Sequence, residues 1–382
     1  MKFSKLAKVA SVALALGLVA TTPAHAASLQ GSGASFPAAL IEACKAPFAA
    51  ATTHSYTYAS SSSGTGQSNS DKSIGDFWMS DGAYTAATKR ASLIHVPLVA
   101  APIAILHNVP NSKTLQFSAD TIAKIFSGQI TMWNDPQILA DNNRTNTTII
   151  YAKNSDGTLK KDSKGDPIVQ KTRTLASKVI MPNKKIQVVY RSDSSGTSEN
   201  FTNYLNKSAP TVWTKAKNKV FASAFPGNIN DTANLGRIVG ASSSTGVAQL
   251  AGKTPYSITY AEVNYAVANK LKVANIINPA GSSVAPDSTG VGAFLSSASQ
   301  DANGWLTYDY KTTEKGAYPL GIVSYLLADT KYPDATKAAA VKEFAKFILS
   351  APCSKTVGEA LGFSVIDGDL LKKSLAQVAK IG

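Results

Sequence analysis

The sequence predicts an α/β fold, and three observations carry that reading. Short β-branched or apolar runs alternate with segments of helical spacing along the chain, and no internal repeat interrupts them. One apolar run, 186–190, leads into Arg191 and then through a Ser-Gly-Thr turn into an amphipathic segment, the strand-turn-helix unit of such folds. The length, 382 residues, suits two domains with substantial cores.

Residues 1–26 read as an export signal. Lys2, Lys5 and Lys8 make a basic start, 9–20 an apolar stretch, and Ala24-His25-Ala26 a small-residue cleavage motif. The apolar stretch is shorter than the roughly 20 residues of a spanning helix, and no later run reaches that length. Cleavage after Ala26 is expected to release a soluble exported product of 356 residues. No cysteine sits just after the cleavage motif, so a lipid anchor is not indicated. Loss of the three lysines takes the formal charge from +14 to +11. Such a field draws anions, small or polymeric. The lysines are scattered and little interleaved with aromatics, which argues for solvated surface charge and against a nucleic-acid partner.

The first helix is expected near Pro37, where Ser35 precedes a proline suited to an opening turn. A strand at 55–59 leads to Ser60–Ser63 and Gly64-Thr65-Gly66, a second candidate anion loop before another helix start. A strand is expected at 95–107. Near Ser118 a helix should bury Ile122, Ile125 and Phe126 and end at Gly128. Residues 154–166 have the composition of a calcium loop but the wrong spacing, and read as a lysine-rich hairpin or loop insertion. Strands at 186–190, 257–260 and 320–327 follow. A last amphipathic helix at 334–350 places Val341, Phe344, Phe347 and Ile348 on one stripe.

The chemistry concentrates at 191–197. Arg191 offers a forked, permanently charged donor, Asp193 is placed to orient it, and Ser195 and Thr197 add hydroxyls. Gly196 allows close backbone approach, and the free amides of a first helical turn point at the same spot. Read blandly, the same residues are a strand-turn-helix with a serine cap and a surface arginine. Metal binding is not indicated: His54, His95 and His107 show no ligand spacing with either cysteine. Cys44 and Cys353 would meet an oxidising compartment after export, and the sequence leaves open whether they pair.

Five stretches, in order, resemble the phosphate-binding proteins of bacterial phosphate ABC importers: GSGASFP at 31–37, the serine-glycine loop at 58–66 with Asp81 in FWMSD, SADTIAKIFSGQITMWNDP at 118–136, RSDSSGTS at 191–198, and AYPLGIVSYLL at 317–327. The resemblance implies a type 2 periplasmic binding protein, in which two α/β lobes joined by crossover hinge strands close over one dehydrated phosphate. It places lobe one at 27–102 and 320–382 and lobe two at 103–319. It implies that Ser35 and Phe36 give a hydroxyl and an amide, and that Ser63 gives a hydroxyl, with Ser61 and Ser62 as alternatives. It makes Asp81 the acceptor of a ligand proton and Arg191, oriented by Asp193, the charged donor. Ser195, Gly196 and Thr197 would supply hydroxyls and amides. Ser194 stands where the family often has glycine, and 152–178 reads as an insertion.

The expected function is therefore high-affinity extracytoplasmic capture of inorganic phosphate by a periplasmic, or secreted, monomer. It would need no cofactor and would deliver its ligand to a membrane permease. Two alternatives are a secreted phosphatase and a polyanion-binding surface protein. The first lacks a G-x-S-x-G elbow and a Ser/His/Asp spacing. The second would show strongly salt-dependent binding.

Overall fold

The computed structural model describes residues 26–85, 89–163, 167–176 and 179–382. The export signal up to His25 lies outside the described residues, as do 164–166 and 177–178 of the segment read as an insertion. Among the described residues no helix is long and apolar enough to cross a membrane.

One curled sheet organises the chain. Its main path runs Ser55–Ser61, Ser28–Ala34, Phe77–Ser80, Gly321–Asp329, Leu93–His107, Ser257–Glu262, Gln187–Arg191 and Ile238–Ala241. The long strand Leu93–His107 belongs to both halves. Its residues up to Pro102 pair antiparallel with the return strand Gly321–Asp329, and Ile103–His107 pair antiparallel with Ser257–Glu262. Lys272–Ile277 takes over the edge that the return strand leaves, pairing with Ile105–His107. Both transitions fall at prolines, which lack the N–H a ladder needs. Pro102 marks the change of partner, and the register slips opposite Pro97, between Ser324 and Tyr325. Every residue of this strand except Ile94 is buried, as expected of a strand covered on both faces.

Helices fill the spaces on local signals. Ser62, Ser118, Ser195 and Asp334 cap helices 63–71, 119–126, 196–208 and 335–349 by accepting from backbone amides of the first turn. Gly128 stops the second of these at φ +80°, a conformation costly for any residue with a Cβ. Ile122, Ile125 and Phe126 are fully buried, as are Val341, Phe344 and Ile348. Phe347 departs from the expected stripe. It is half-buried at the core rim, edge-on to Phe48.

Phe48, Tyr56, Phe77 and Phe344 pack together in the half that carries the termini. Phe126, Phe201, Phe221 and Tyr260 do so in the other. Cys44, between two short helices, is disulfide-bonded to Cys353 in the wide turn Ala351–Gly358, across 309 residues of sequence. A link closing so long a loop typically stabilises by about 2 to 4 kcal/mol. Thr145–Tyr151 and Val169–Ala176 form a two-stranded antiparallel hairpin apart from the main sheet, continued by bridges at Lys153–Leu159 and Lys161–Pro167. The lysine-rich segment is thus the outer part of a hairpin whose arms begin before residue 152.

Candidate functional site

Arg191 is the last residue of its strand, and the residue is only 1 % exposed. A guanidinium is not buried without partners, because losing its hydration costs several kcal/mol. Asp193 answers two of its nitrogens in fork geometry, Nε to Oδ1 at 2.8 Å and Nη2 to Oδ2 at 2.6 Å. Nη1 donates to Ser244 Oγ at 3.1 Å. Asp193 Oδ1 also accepts from the Ser243 amide, and these bonds hold its carboxyl below the usual range against the opposing effect of burial. The strand itself is anchored by Tyr260, whose hydroxyl accepts from the Arg191 amide and bonds Ser198 Oγ.

Three helix starts meet here. Ser63 opens 63–71, Gly196 opens 196–208, and Ser243 opens 243–253, each directly after a strand or its short loop. Free first-turn amides and the helix dipole make such starts favourable for anions, although here the amides of Gly64, Thr65, Ser198, Ser243 and Ser244 already donate within the protein. Their approach is close enough to require glycine. A Cβ on Gly196 would lie 2.5 Å from Ser63 Oγ and 2.8 Å from the Asp81 Cβ, and one on Gly64 would lie 2.4 Å from Ser194 Oγ. The Gly64 amide donates to the Ser194 carbonyl between the two halves.

Asp81 follows the strand Phe77–Ser80 and is 2 % exposed. Its Oδ1 accepts from Ser324 Oγ at 2.8 Å, and Oδ2 accepts from Ser63 Oγ at 3.3 Å and Thr197 Oγ1 at 3.2 Å. Burial pushes the carboxyl up to about 6, held back by the Ser324 bond, the Arg191 charge and the Thr197 and Ser63 bonds. It is thus an acceptor at neutral pH. Of the three serines in its loop, Ser63 is the one that faces it. Ser61 donates to the Gly33 carbonyl, and Ser62 caps the helix.

Ser35 lies on the other flank, donating to Ser244 Oγ at 3.2 Å and accepting from the Ser244 amide. Phe36 is fully buried with its ring edge-on to Phe363. Ser195 is buried and caps its helix by accepting from the Ser198 amide. The structure therefore gathers two neighbouring hydrogen-bonded groups, Arg191 with Asp193, Ser244 and Ser35, and Asp81 with Ser63 and Thr197 beside Gly196, close enough for the Arg191 charge to act on Asp81. A cavity of about 630 Å³ adjoins them, reached by Asp81, Gly82 and Asn200, and Arg191 is not among its lining residues.

Sequence reasoning missed Ser244, Glu262 and Ser324. Ser244 carried a usable signal, because Ser242-Ser243-Ser244-Thr245-Gly246 repeats the serine-cluster layout of the two other helix starts. Ser324 lies inside a stretch already singled out. Nothing local marks Glu262, the last residue of its strand.

Comparison with known proteins agrees with this architecture. Residues 19–352 match the model of the PBP superfamily domain. A phosphate-binding protein PstS2 of Mycobacterium bovis is 34% identical over 255 residues, covering 65% of this chain and 56% of that protein, so the chain spans little more than half of that relative. Phosphate-binding protein PstS 3 of Mycobacterium leprae is 31% identical over 300 residues, 75% of this chain and 69% of that one. Among solved structures, a high-affinity periplasmic phosphate-binding protein, PfluDING, superposes with a TM-score of 0.66 at 22% identity, over 91% of this chain and 93% of its own. A phosphate ABC transporter substrate-binding protein from Clostridium perfringens gives 0.57 at 16%, over 89% and 100%. The sheet of two halves sharing a long strand is the two-lobed arrangement of those structures, and the chain belongs to the PBP superfamily, in the family of the PstS-type phosphate-binding proteins.

Proposed function

We propose that the protein is an extracytoplasmic receptor that closes its two lobes over inorganic phosphate and presents it to the permease of an ABC importer. The observation that carries this reading is Arg191, a buried guanidinium with two nitrogens clamped by Asp193 and the third directed to where Ser35 and Ser244 meet. Phosphate carries up to two charges and a proton near neutral pH, so its cage needs many donors and an acceptor. Ser35, Ser63, Arg191, Ser195 and Thr197, with the Phe36, Gly196 and Thr197 amides, supply the donors. Asp81 supplies the acceptor, and Asp193 orients.

The lobe limits proposed, 27–102 with 320–382 and 103–319, are supported by the change of strand partner between Pro102 and Ile103 and by the return strand beginning at Gly321. The names of relatives and structural neighbours support phosphate as ligand, a periplasmic location and a place in an ABC transporter. A hydrolase is disfavoured by the histidines. His54, His95 and His107 each accept from a backbone amide through a ring nitrogen, of Ala27, Tyr84 and Val109, and no serine of the cluster bonds to them.

Calorimetry of the mature protein with phosphate, sulfate and a nucleotide tests the reading. Phosphate is expected to bind at least a hundredfold more tightly than the other two, on the scale of the discrimination seen where a buried polar partner is lost, about 10⁴-fold. Equal binding of sulfate would refute it.

A further inference from the structure

Glu262 is 1 % exposed and belongs to the same cluster. A chain of hydroxyls leads to it: Ser35 Oγ donates to Ser244 Oγ at 3.2 Å, and Ser244 Oγ donates to Glu262 Oε1 at 3.2 Å while accepting from Arg191 Nη1 at 3.1 Å. The chain ends on Glu262, whose Oε2 is buried and has no hydrogen-bond partner among the described residues. An ionised carboxylate with one oxygen unanswered is costly to bury, whereas a proton on that oxygen makes the group neutral and turns it into a donor.

The charges around it sharpen the point. Arg191 is the cation of the cluster, against Asp193, Asp81 and Glu262. If all three acids were ionised, a phosphate dianion would enter a site already negative. Lys219, at the margin, is occupied by Gln67 and lies over the Tyr84 ring. We propose that Glu262 is a second acid of the anion site that holds a proton while the ligand is bound, so that phosphate capture is coupled to uptake of one proton from solvent. This rests on the phosphate reading above.

The groups facing Glu262 leave it as the one that titrates in the relevant range. Burial raises its carboxyl to about 8; its own backbone amide, the Arg191 charge and the Ser244 bond oppose the rise, and Asp81 adds to it. Asp81 itself stands at about 6 and Asp193 is lowered. Tyr265, on the following helix, and Tyr260, on the same strand, are pushed up to about 12. Tyr58, across the cluster, is raised well above its ordinary value. Above pH 8 phosphate is itself already dianionic, its second ionisation lying well below that pH, as it does in phosphate esters at about 6.

The test is calorimetry of phosphate binding at pH 6.5 and 9 in pairs of buffers with different ionisation heats. Wild type is expected to take up close to one proton per phosphate at pH 9, and its affinity to fall about tenfold per pH unit above 8. Glu262→Gln mimics the neutral form and should bind phosphate with no proton uptake and a flat profile from pH 8 to 9.5. At pH 9, binding without proton uptake by wild type, or uptake that persists in Glu262→Gln, overturns the role of Glu262 and leaves the phosphate reading intact. The wild-type proton count decides even if the variant does not fold. Absence of phosphate binding at pH 6.5 overturns the phosphate reading and this proposal with it.

Discussion

Gly196 shows how much a single residue carries here. Its missing side chain lets a helix start of one proposed lobe approach Ser63 and Asp81 of the other. Gly196→Ala puts a methyl group into that contact, and overpacking of this kind costs about 1 to 3 kcal/mol. Because the clash exists only when the lobes are shut, it should appear as a loss of one to two decades in phosphate affinity. The melting temperature of the ligand-free protein should hardly change, and a parallel drop in both would place the clash elsewhere. Asp81→Asn tests the acceptor. An amide can donate to a bare oxygen, so sulfate should gain affinity sharply while phosphate still binds through Arg191 and the helix-start amides. Hydrogen bonds to charged groups contribute about 1.5 to 3 kcal/mol, which sets the expected shift in the sulfate-to-phosphate ratio at ten- to hundredfold. A ratio equal to that of wild type would remove Asp81 from the proposed role.

Among the elements, those with a complete local signal were legible. The strands at 55–61, 187–191 and 257–262 and the helices at 119–126 and 335–349 follow from apolar runs bounded by caps and glycines. The long strand was legible only in part. Its β-branched character marks its extent, but Pro97 and Pro102 argue locally against a central strand. They are tolerated because the ladder changes register at one and partner at the other. Caps offer a test confined to one element. Ser118 accepts from the Thr121 amide and bonds Asp141, neither of which bonds to a residue of the anion cluster. Ser118→Ala should cost about 1 kcal/mol of stability, read by denaturant titration, with phosphate affinity unchanged. A change in affinity without a change in stability would contradict the assignment of Ser118 as a structural cap.

At the scale of the whole molecule, buried titratable groups shape the response to pH. Glu262 and Asp81 have folded-state values raised by burial, to about 8 and about 6, so the cost of each ionised carboxylate to the folded protein is relieved as pH falls through its folded value. His95 and His107 are lowered to about 3 by burial, so each loses stability as pH falls below its unfolded value near 6.5. From pH 8 to 6.5 only the acids act, and the ligand-free melting temperature should rise. Below 6.5 the two histidines offset the acids and the rise should stop. Glu262→Gln should remove the alkaline limb alone. A melting temperature independent of pH between 6.5 and 8.5 would contradict the burial of Glu262 as an acid.

The sequence by itself determined whatever depends on neighbours a few residues apart. The strand, turn and helix around Arg191, its pairing with Asp193 two residues on, and the serine-led helix starts are all of this kind, as is the alternation that specifies an α/β chain. Tertiary structure alone decided which distant groups share a site. Ser244 meets Ser35 across 209 residues and Ser324 meets Asp81 across 243, while Cys44 and Cys353 come within 5.7 Å at their Cα atoms across 309. Periodicity and capping report which face of an element is buried and where it starts. Which other element covers that face is set by sheet order and strand register, and these arise from packing over the whole chain. Glu262 is the clearest case: on its strand it is one residue after a buried alanine, and only the folded sheet sets it beside Ser244 and Arg191.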